Sequence, residues 1–373
     1  MTPPRCPYWP LFAALMLCAA LVCALSGARA FAGAVRQEVK AEGTPAGLDL
    51  AFLPLLERLH RDGFPFEETS ALFARLGEHA YTPAYTALKI LELYGVPGIG
   101  VNRAQSPEPE APPGFTPPLA EFTVGACREF AAGHAEQLQE MEKRHGVGRH
   151  VILGLLLVET ALGQDLGRDI ALRSLAGMAV TDNPAKLSSI GNSRQPSRIR
   201  SAKLGATLRQ RSDRAYTELK ALLRWSAGSG LDAARLPGSI YGAVGLCQFM
   251  PSNIESYGVD GDKDGVINLF SPLDAMFSAA NYLEAHGWRG AKTDAQRLRV
   301  LMAYNDDRLY AAYVLGAAKR MERALAGKIS PHSAALAGMA GPSARLDPSL
   351  RRLGPVPRRG RVAELGSYVE LLK

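Results

Sequence analysis

Val151-Ile152-Leu153-Gly154-Leu155-Leu156-Leu157-Val158-Glu159 is the stretch that decides the fold of this chain. Eight consecutive apolar residues leave no polar side at a helical period, so the segment must be wrapped by protein all round. Extended from Val147 to Gly163 it reads as a helix central to a core, and it is the most apolar part of the chain beyond the first thirty residues. Glu159 closes it, at helical spacing from Ile152, Leu155 and Leu156. A carboxyl held against such walls has its charged form disfavoured, which suits a general acid. A glutamate that turns to solvent at a helix end is the plainer reading of the same residue.

Around this segment the helical period continues. Phe52, Leu55, Leu56, Leu59 and His60 repeat at i, i+3, i+4, i+7 and i+8 and are closed by Asp62-Gly63. A second run covers Tyr85 to Leu93, and Pro107 to Pro118 then holds six prolines in twelve residues, an extended linker that sets a boundary near 118. Helix resumes over Leu119–His145. The Ser/Arg/Lys-rich stretch 182–214, with Pro184 and Pro196, reads as a long loop. Residues 251–257 form a short helix. Ser271 caps a longer one over 272–286, with Pro272 at its first position and Gly287 past its end. Helices at about 294–304 and 308–325 follow, and the Ala/Gly/Pro/Arg-rich residues 327–373 read as a disordered basic tail. No alternating strands stand out, so the class is mainly α.

Composition sets the outer bounds. The chain has 373 residues, 47% of them hydrophobic and 21% charged, which excludes wholesale disorder, collagen and coiled coil. The first thirty residues look like an export signal. Leu11 to Leu25 carries no charge and is short for a span, and Ala28-Arg29-Ala30 has the form of a signal-peptidase site. Removing them takes Arg5 and Arg29 away and lowers the net charge of +7 to +5, a surplus that suits nucleic acid, acidic lipid or an anionic wall polymer. It also leaves only Cys127 and Cys247, read as two buried free thiols. No zinc-ligand spacing, Walker loop or GxSxG elbow is present.

Three further segments carry chemistry. Gly238-Ser239-Ile240-Tyr241-Gly242-Ala243-Val244-Gly245-Leu246-Cys247-Gln248-Phe249-Met250-Pro251-Ser252 offers close backbone approach, an amide and a flat ring, all suited to a sugar polymer. A glycine-rich turn into a helix explains it equally well. Asp260-Gly261-Asp262-Lys263-Asp264-Gly265-Val266-Ile267-Asn268 places carboxylates at positions 1, 3 and 5 and glycine at 6, as an EF-hand loop does around Ca²⁺. Position 7 supplies the Val266 carbonyl. The glutamate of position 12 is missing, and Asp274 takes its part if the loop is enlarged; a metal-free polar turn is the alternative. Ala303-Tyr304-Asn305, with Tyr310 six residues after Tyr304, brings rings and an amide of the kind that line carbohydrate sites, although tyrosines at this spacing also pack cores.

Taken in order, Glu159-Thr160-Ala161-Leu162-Gly163, the 242–252 segment, the 260–268 loop, Asn281-Tyr282-Leu283-Glu284-Ala285-His286-Gly287-Trp288 and Tyr304-Asn305 resemble the membrane-bound lytic murein transglycosylase B family over roughly residues 45–325. The resemblance implies a lysozyme-like catalytic core at 119–326, with a calcium loop at 260–274 and an accessory N-terminal helical region within 31–118. It implies cleavage of the MurNAc-β-1,4-GlcNAc bond of peptidoglycan to 1,6-anhydro ends, with Glu159 as acid and then base. Ser239, Gln248, Phe249, Tyr304, Asn305 and Tyr310 fall on glycan-cleft positions, and Asp260, Asp262, Asp264, Val266 and Asp274 on the loop that would hold a structural Ca²⁺. Arg211 and Arg214 stand for the cleft arginines. Two residues depart from the pattern: Leu162 stands where an aromatic ring is usual, and Cys247 where glycine is common. The expected partners are glycan strands, not nucleic acid, for an exported monomer of the periplasm or envelope. A hydrolytic muramidase and a calcium-stabilised wall-binding protein without activity are the alternatives.

Overall fold

The computed structural model describes residues 45–83, 86, 121–183 and 202–327. The stretch 1–30 read as an export signal, the helix read over 85–93 (Thr86 apart), the proline-rich 107–118 and residues 328–373 lie outside the described residues. Eleven α-helices are described: α1 Leu53–Arg61, α2 Phe66–Ala74, α3 Glu121–Gly133, α4 Ala135–His145, α5 Arg149–Thr160, α6 Ala171–Ala179, α7 Ala202–Ser229, α8 Pro251–Tyr257, α9 Pro272–Ala285, α10 Asp294–Tyr304 and α11 Arg308–Leu325. The described sheet is one antiparallel pair, β1 (Asp169–Ile170) and β2 (Pro237–Gly238), with Asp169 opposite Gly238. The class is mainly α, as the periodicity implies.

Helix α5 is the centre. Every residue from Val151 to Leu157 is buried, as an all-apolar segment requires. α11 crosses it at Gly154, where a Cβ would stand 2.8 Å from the Ala318 backbone nitrogen. Glycine inside a helix costs about 1 kcal/mol relative to alanine, and here it permits backbones to approach more closely than any side chain allows. Gly148 gives α5 no side-chain cap, and Glu142 of α4 supplies one, its carboxylate accepting from Arg149 N at 2.6 Å and Arg149 Nε at 2.8 Å.

Two expectations are corrected. The helical run 119–145 is two helices that part at His134, a residue with non-helical dihedrals placed directly after Gly133. Residues 202–214, read as loop, belong to the 28-residue α7. Leu208, Ser212, Ala215, Leu219 and Leu222 are buried at helical spacing, and the arginines between them misled the compositional reading. Arg214 is exposed and Arg211 half-buried on this helix, beside Asp213, which pairs with Arg58 of α1 at 3.1 Å.

The N-terminal helices share the same core, with Phe52 and Phe73 fully buried and edge-on at 5.4 Å. Asp62 at the end of α1 accepts from Tyr216 Oη at 3.0 Å and Lys220 Nζ at 2.7 Å, both on α7. No helix among the described residues is long and apolar enough to cross a membrane.

Candidate active site

Glu159 lies one residue before the end of α5 and is buried, with 6% of its surface exposed. α5 closes with Ala161 and Leu162 both in the left-handed region (φ 49° and 60°) while Leu162 N reaches back to Leu156 O at 3.0 Å. Two non-glycine residues in that region cost about 1 kcal/mol each. The strain turns the chain sharply beside the carboxyl. Thr160 fixes the turn: its hydroxyl donates to Leu246 O at 2.8 Å and accepts from Gly163 N at 3.0 Å. One threonine thus ties the end of α5 to the glycine-rich segment.

That segment is a folded strap. Val244 and Phe249 exchange backbone bonds at 2.9 and 3.1 Å, and Ser239 Oγ accepts from Tyr241 N and Ala243 N at 3.2 and 3.1 Å. Gly245 is required at φ 76°, because a Cβ there would stand 2.4 Å from Leu269 Cβ. Gln248, also left-handed at φ 49°, is half-buried, and its amide donates to Gly245 O at 3.0 Å. Three of the four described non-glycine residues with positive φ (Ala161, Leu162, Gln248) therefore sit where α5 meets this strap. Leu162 is buried, so the place of the usual aromatic residue is filled by core packing.

Tyr310 enters from α11 and donates its hydroxyl to Glu159 Oε1. The aim of Tyr310 is set by a cap: Asp307 accepts from Leu309 N at 2.8 Å and Tyr310 N at 3.1 Å, which starts α11 with Tyr310 in its first turn. Burial, then the Glu159 charge, pushes the Tyr310 phenol well above its ordinary range, so it stays a donor. Tyr304, at the end of α10, donates to Cys247 O, and burial raises its phenol likewise. The Cys247 thiol is fully buried and is also pushed up by burial.

Of the residues read from sequence, Tyr310 reaches Glu159 and Tyr304 reaches the strap at Cys247, while Ser239 and Gln248 are bonded within or beside the strap itself. Tyr310 is a correction: read as a glycan contact, it is 2% exposed and its hydroxyl is spent on Glu159. Asn305 is half-buried at the C-terminal cap of α10. Phe249 is a correction. It is 1% exposed and packs against Tyr282 at 5.6 Å and Tyr304 at 5.7 Å, so its ring supports the site from behind and offers no face to a ligand. The sequence reading missed Glu218 of α7, which is buried and accepts from Ser252 N at 2.9 Å and Ser252 Oγ at 2.8 Å. It caps α8, immediately after Gln248-Phe249-Met250, from 34 positions away, and no local signal reveals such a cap.

The acidic loop is a second, separate cluster. Carboxylate oxygens of Asp260, Asp262 and Asp274 lie within 4.8 Å of one another. Asp274 is fully buried and accepts from Gly261 N at 2.8 Å, Asp262 N at 3.4 Å and Asn268 N at 2.7 Å, while burial pushes its carboxyl up to about 6. Gly265 takes φ 92°, the turn expected at the sixth position. Asp264 is outside the three-carboxylate group, and its Oδ1 accepts from Val266 N at 2.8 Å. Ser271, at the N-cap of α9, makes no side-chain cap and donates to Asp262 Oδ2 at 3.1 Å. Hard oxygen donors at this spacing fit a calcium ion. Cys127 and Cys247 are both free and buried.

Comparison with known proteins places this geometry. The Transglycosylase SLT domain family matches residues 115–305. A 144-residue stretch is 33% identical to the membrane-bound lytic murein transglycosylase B of Escherichia coli K12, covering 39% of this chain and about a third (33%) of that relative's length. Among solved structures, soluble lytic transglycosylase SltB1 of Pseudomonas aeruginosa superposes with a TM-score of 0.51 at 22% identity, over 73% of this chain and 98% of its own. The Escherichia coli lytic transglycosylase Slt35, solved in complex with calcium, gives 0.51 at 20%, over 78% and 98%. At such identities the likeness to the solved structures is one of fold. The family match extends over half of the sequence and takes in Glu159, the strap and the acidic loop: the chain belongs to the Transglycosylase SLT domain family.

Proposed function

We propose that this protein is a peptidoglycan lytic transglycosylase that cleaves the MurNAc-β-1,4-GlcNAc bond with Glu159 as general acid and base. The observation that carries the reading is the buried Glu159 carboxyl, held by the Tyr310 hydroxyl at the end of α5 where Thr160 ties that helix to the glycine-rich strap. Protonated Glu159 gives its proton to the glycosidic oxygen as the bond from C1 breaks. The N-acetyl carbonyl of the same MurNAc shares the developing charge at C1, so no second carboxylate is needed. The C6 hydroxyl oxygen then bonds to C1 and returns its proton to Glu159. No water is consumed, and the product ends in 1,6-anhydro-MurNAc. Tyr310 holds the carboxyl in place throughout, and Ser239, Gln248, Tyr304 and Asn305 line the glycan path.

Residues 119–326 form the catalytic core of a lysozyme-like fold in this reading, with the N-terminal helices as its accessory region. Asp260, Asp262 and Asp274, with Asp264 and the Val266 carbonyl, would hold a structural Ca²⁺, which supplies positive charge to the loop and no catalytic chemistry. The support is the three clustered carboxylates together with the calcium in the solved Slt35 structure. The protein is exported to the periplasm or cell envelope and works as a monomer on glycan strands.

The test is digestion of purified sacculi in heavy-oxygen water, followed by mass analysis of the muropeptides. Anhydro ends free of heavy oxygen are expected. Heavy oxygen at new reducing ends would make the enzyme a hydrolase, and no release at all would leave a wall-binding protein.

A further inference from the structure

Glu218 is a buried carboxylate that the cleavage chemistry does not use. It lies in α7 with 5% of its surface exposed, and both of its oxygens are spent on one residue. Oε2 accepts from Ser252 N at 2.9 Å and Oε1 from Ser252 Oγ at 2.8 Å. Taking a carboxylate out of water is costly unless hydrogen bonds replace its hydration. Here the replacement fixes a point four residues after Gln248.

The strap needs an anchor at that point. From Gln248 and Phe249 the chain passes to Met250, whose side chain makes no cap, and to Pro251, which has no N–H to give. Ser252 N is therefore the first amide of α8, and it goes to Glu218. α8 has only seven residues, too few to be stable by itself. A further tie between α7 and α8, Arg224 Nε to Glu255 Oε1 at 2.7 Å, is exposed, where an ion pair is worth little. Upstream, the strap is pinned at Leu246 O by Thr160 and at Cys247 O by Tyr304. Gln248, in the left-handed region at φ 49°, stands between those pins and the Glu218 anchor.

The anchor is also separate from the other ties on α7. Tyr216 and Lys220, on either side of Glu218 in sequence, both donate to Asp62 of α1. A step of two residues turns a helix by about 200°, so α1 and α8 are held on opposite faces of α7. We propose that Glu218 is a positioning residue for the glycan-cleaving site: through Ser252 it holds the C-terminal end of the strap, and with it Gln248, where the glycan is met. The proposal rests on the reading of Gln248 as a glycan contact.

Two measurements test it, each made well below the Tm of every variant. The first follows cleavage of purified glycan strands by wild type, Glu218→Gln, Ser252→Ala, the double variant and Asp62→Asn. Glu218→Gln and Ser252→Ala should each raise KM about five-fold, the loss of a hydrogen bond to a charged group. Both should change kcat less than about two-fold, because Glu159 and Tyr310 are untouched. The double variant should be no worse than Glu218→Gln, since both substitutions break one pair. Asp62→Asn weakens the opposite face of α7 and should leave KM and kcat as in wild type, whatever it does to Tm. An unchanged KM in Glu218→Gln and Ser252→Ala overturns the proposal. An equal rise in Asp62→Asn does so too, as do multiplying losses in the double variant.

The second follows hydrogen exchange at Val244 and Phe249, whose amides bond each other's carbonyls across the strap. Relative to the amides of α5, Glu218→Gln should speed both about ten-fold and Asp62→Asn neither. Equal exchange in wild type and Glu218→Gln overturns the anchoring. This readout needs no substrate. A protein that cleaves no glycan yet shows the difference in exchange would lose the transglycosylase reading and keep Glu218 as the anchor of the strap.

Discussion

Two carboxylates are buried to a similar degree, Glu159 at 6% exposure and Asp274 at 0%, in surroundings of different kind. Asp274 accepts three backbone N–H groups, from Gly261, Asp262 and Asn268, so its charged form is paired with the loop that it organises. Glu159 receives the Tyr310 phenol on one oxygen. A carboxylate surrounded by amides is committed to structure. Glu159 instead meets a phenol brought in by a distant helix, beside the glycine-rich strap. The settings differ in reach as well: the acidic loop is closed by bonds within the fifteen residues from Asp260 to Asp274, whereas Glu159 is met by Tyr310 from 151 positions away.

The largest effect expected is on chemistry. Glu159→Gln should keep the fold and lower sacculus digestion by about 10² to 10⁴ in rate, the usual worth of general acid–base catalysis. A variant retaining more than about a tenth of wild-type rate would remove Glu159 from the mechanism. Asp274→Ala should do the reverse. It strands buried amide donors and opens space, costing about 3 kcal/mol of stability by chemical denaturation. If Asp274→Ala unfolds at the wild-type denaturant midpoint, the contrast between the two carboxylates is wrong.

Calcium sharpens the same comparison. Binding to the folded loop alone adds about 2.7 kcal/mol when the ion is at a hundred times its dissociation constant. Tm should therefore rise with Ca²⁺ and fall with chelator; Asp262→Ala should blunt the response and Glu159→Gln preserve it. An identical melting curve in chelator and in millimolar calcium would make the loop a polar turn. Next in size is Tyr310→Phe, which removes the donor and little volume. It should lower kcat about ten-fold with KM nearly constant, because the hydroxyl holds the acid and not the glycan; an unchanged kcat would release Tyr310 from that part.

The smallest effect concerns a buried imidazole that bonds neither carboxylate and packs on Phe277. Burial holds His145 below its ordinary value, opposed by the Glu284 carboxylate at 2.8 Å. The folded form therefore binds a proton more weakly than the unfolded chain. Above the ordinary value, about 6.5, both forms are neutral and the group contributes nothing; as pH falls below it, stability is lost. Between pH 7 and 5.5 the Tm of His145→Gln should fall less than that of wild type, and parallel curves would refute the assignment.

The sequence by itself determined several of the helices and which of them is central. The apolar run before Glu159 is buried from Val151 to Leu157, and Ser271-Pro272 and the 294–304 and 308–325 periods are local signals that act within a turn or two. It also determined the acidic loop, because its donors and its glycine lie at fixed spacing along one short stretch. What only the tertiary structure decided is how distant groups meet: that Phe249 turns inward against Tyr282 and Tyr304, that residues 202–214 are helix because Leu208 and Leu219 find a core, that Glu218 caps α8, and that Tyr310 holds Glu159. Helical periodicity records which side of a residue is apolar but not what covers it. Partners separated by 34 or 151 positions are chosen by packing, and packing depends on the whole core at once.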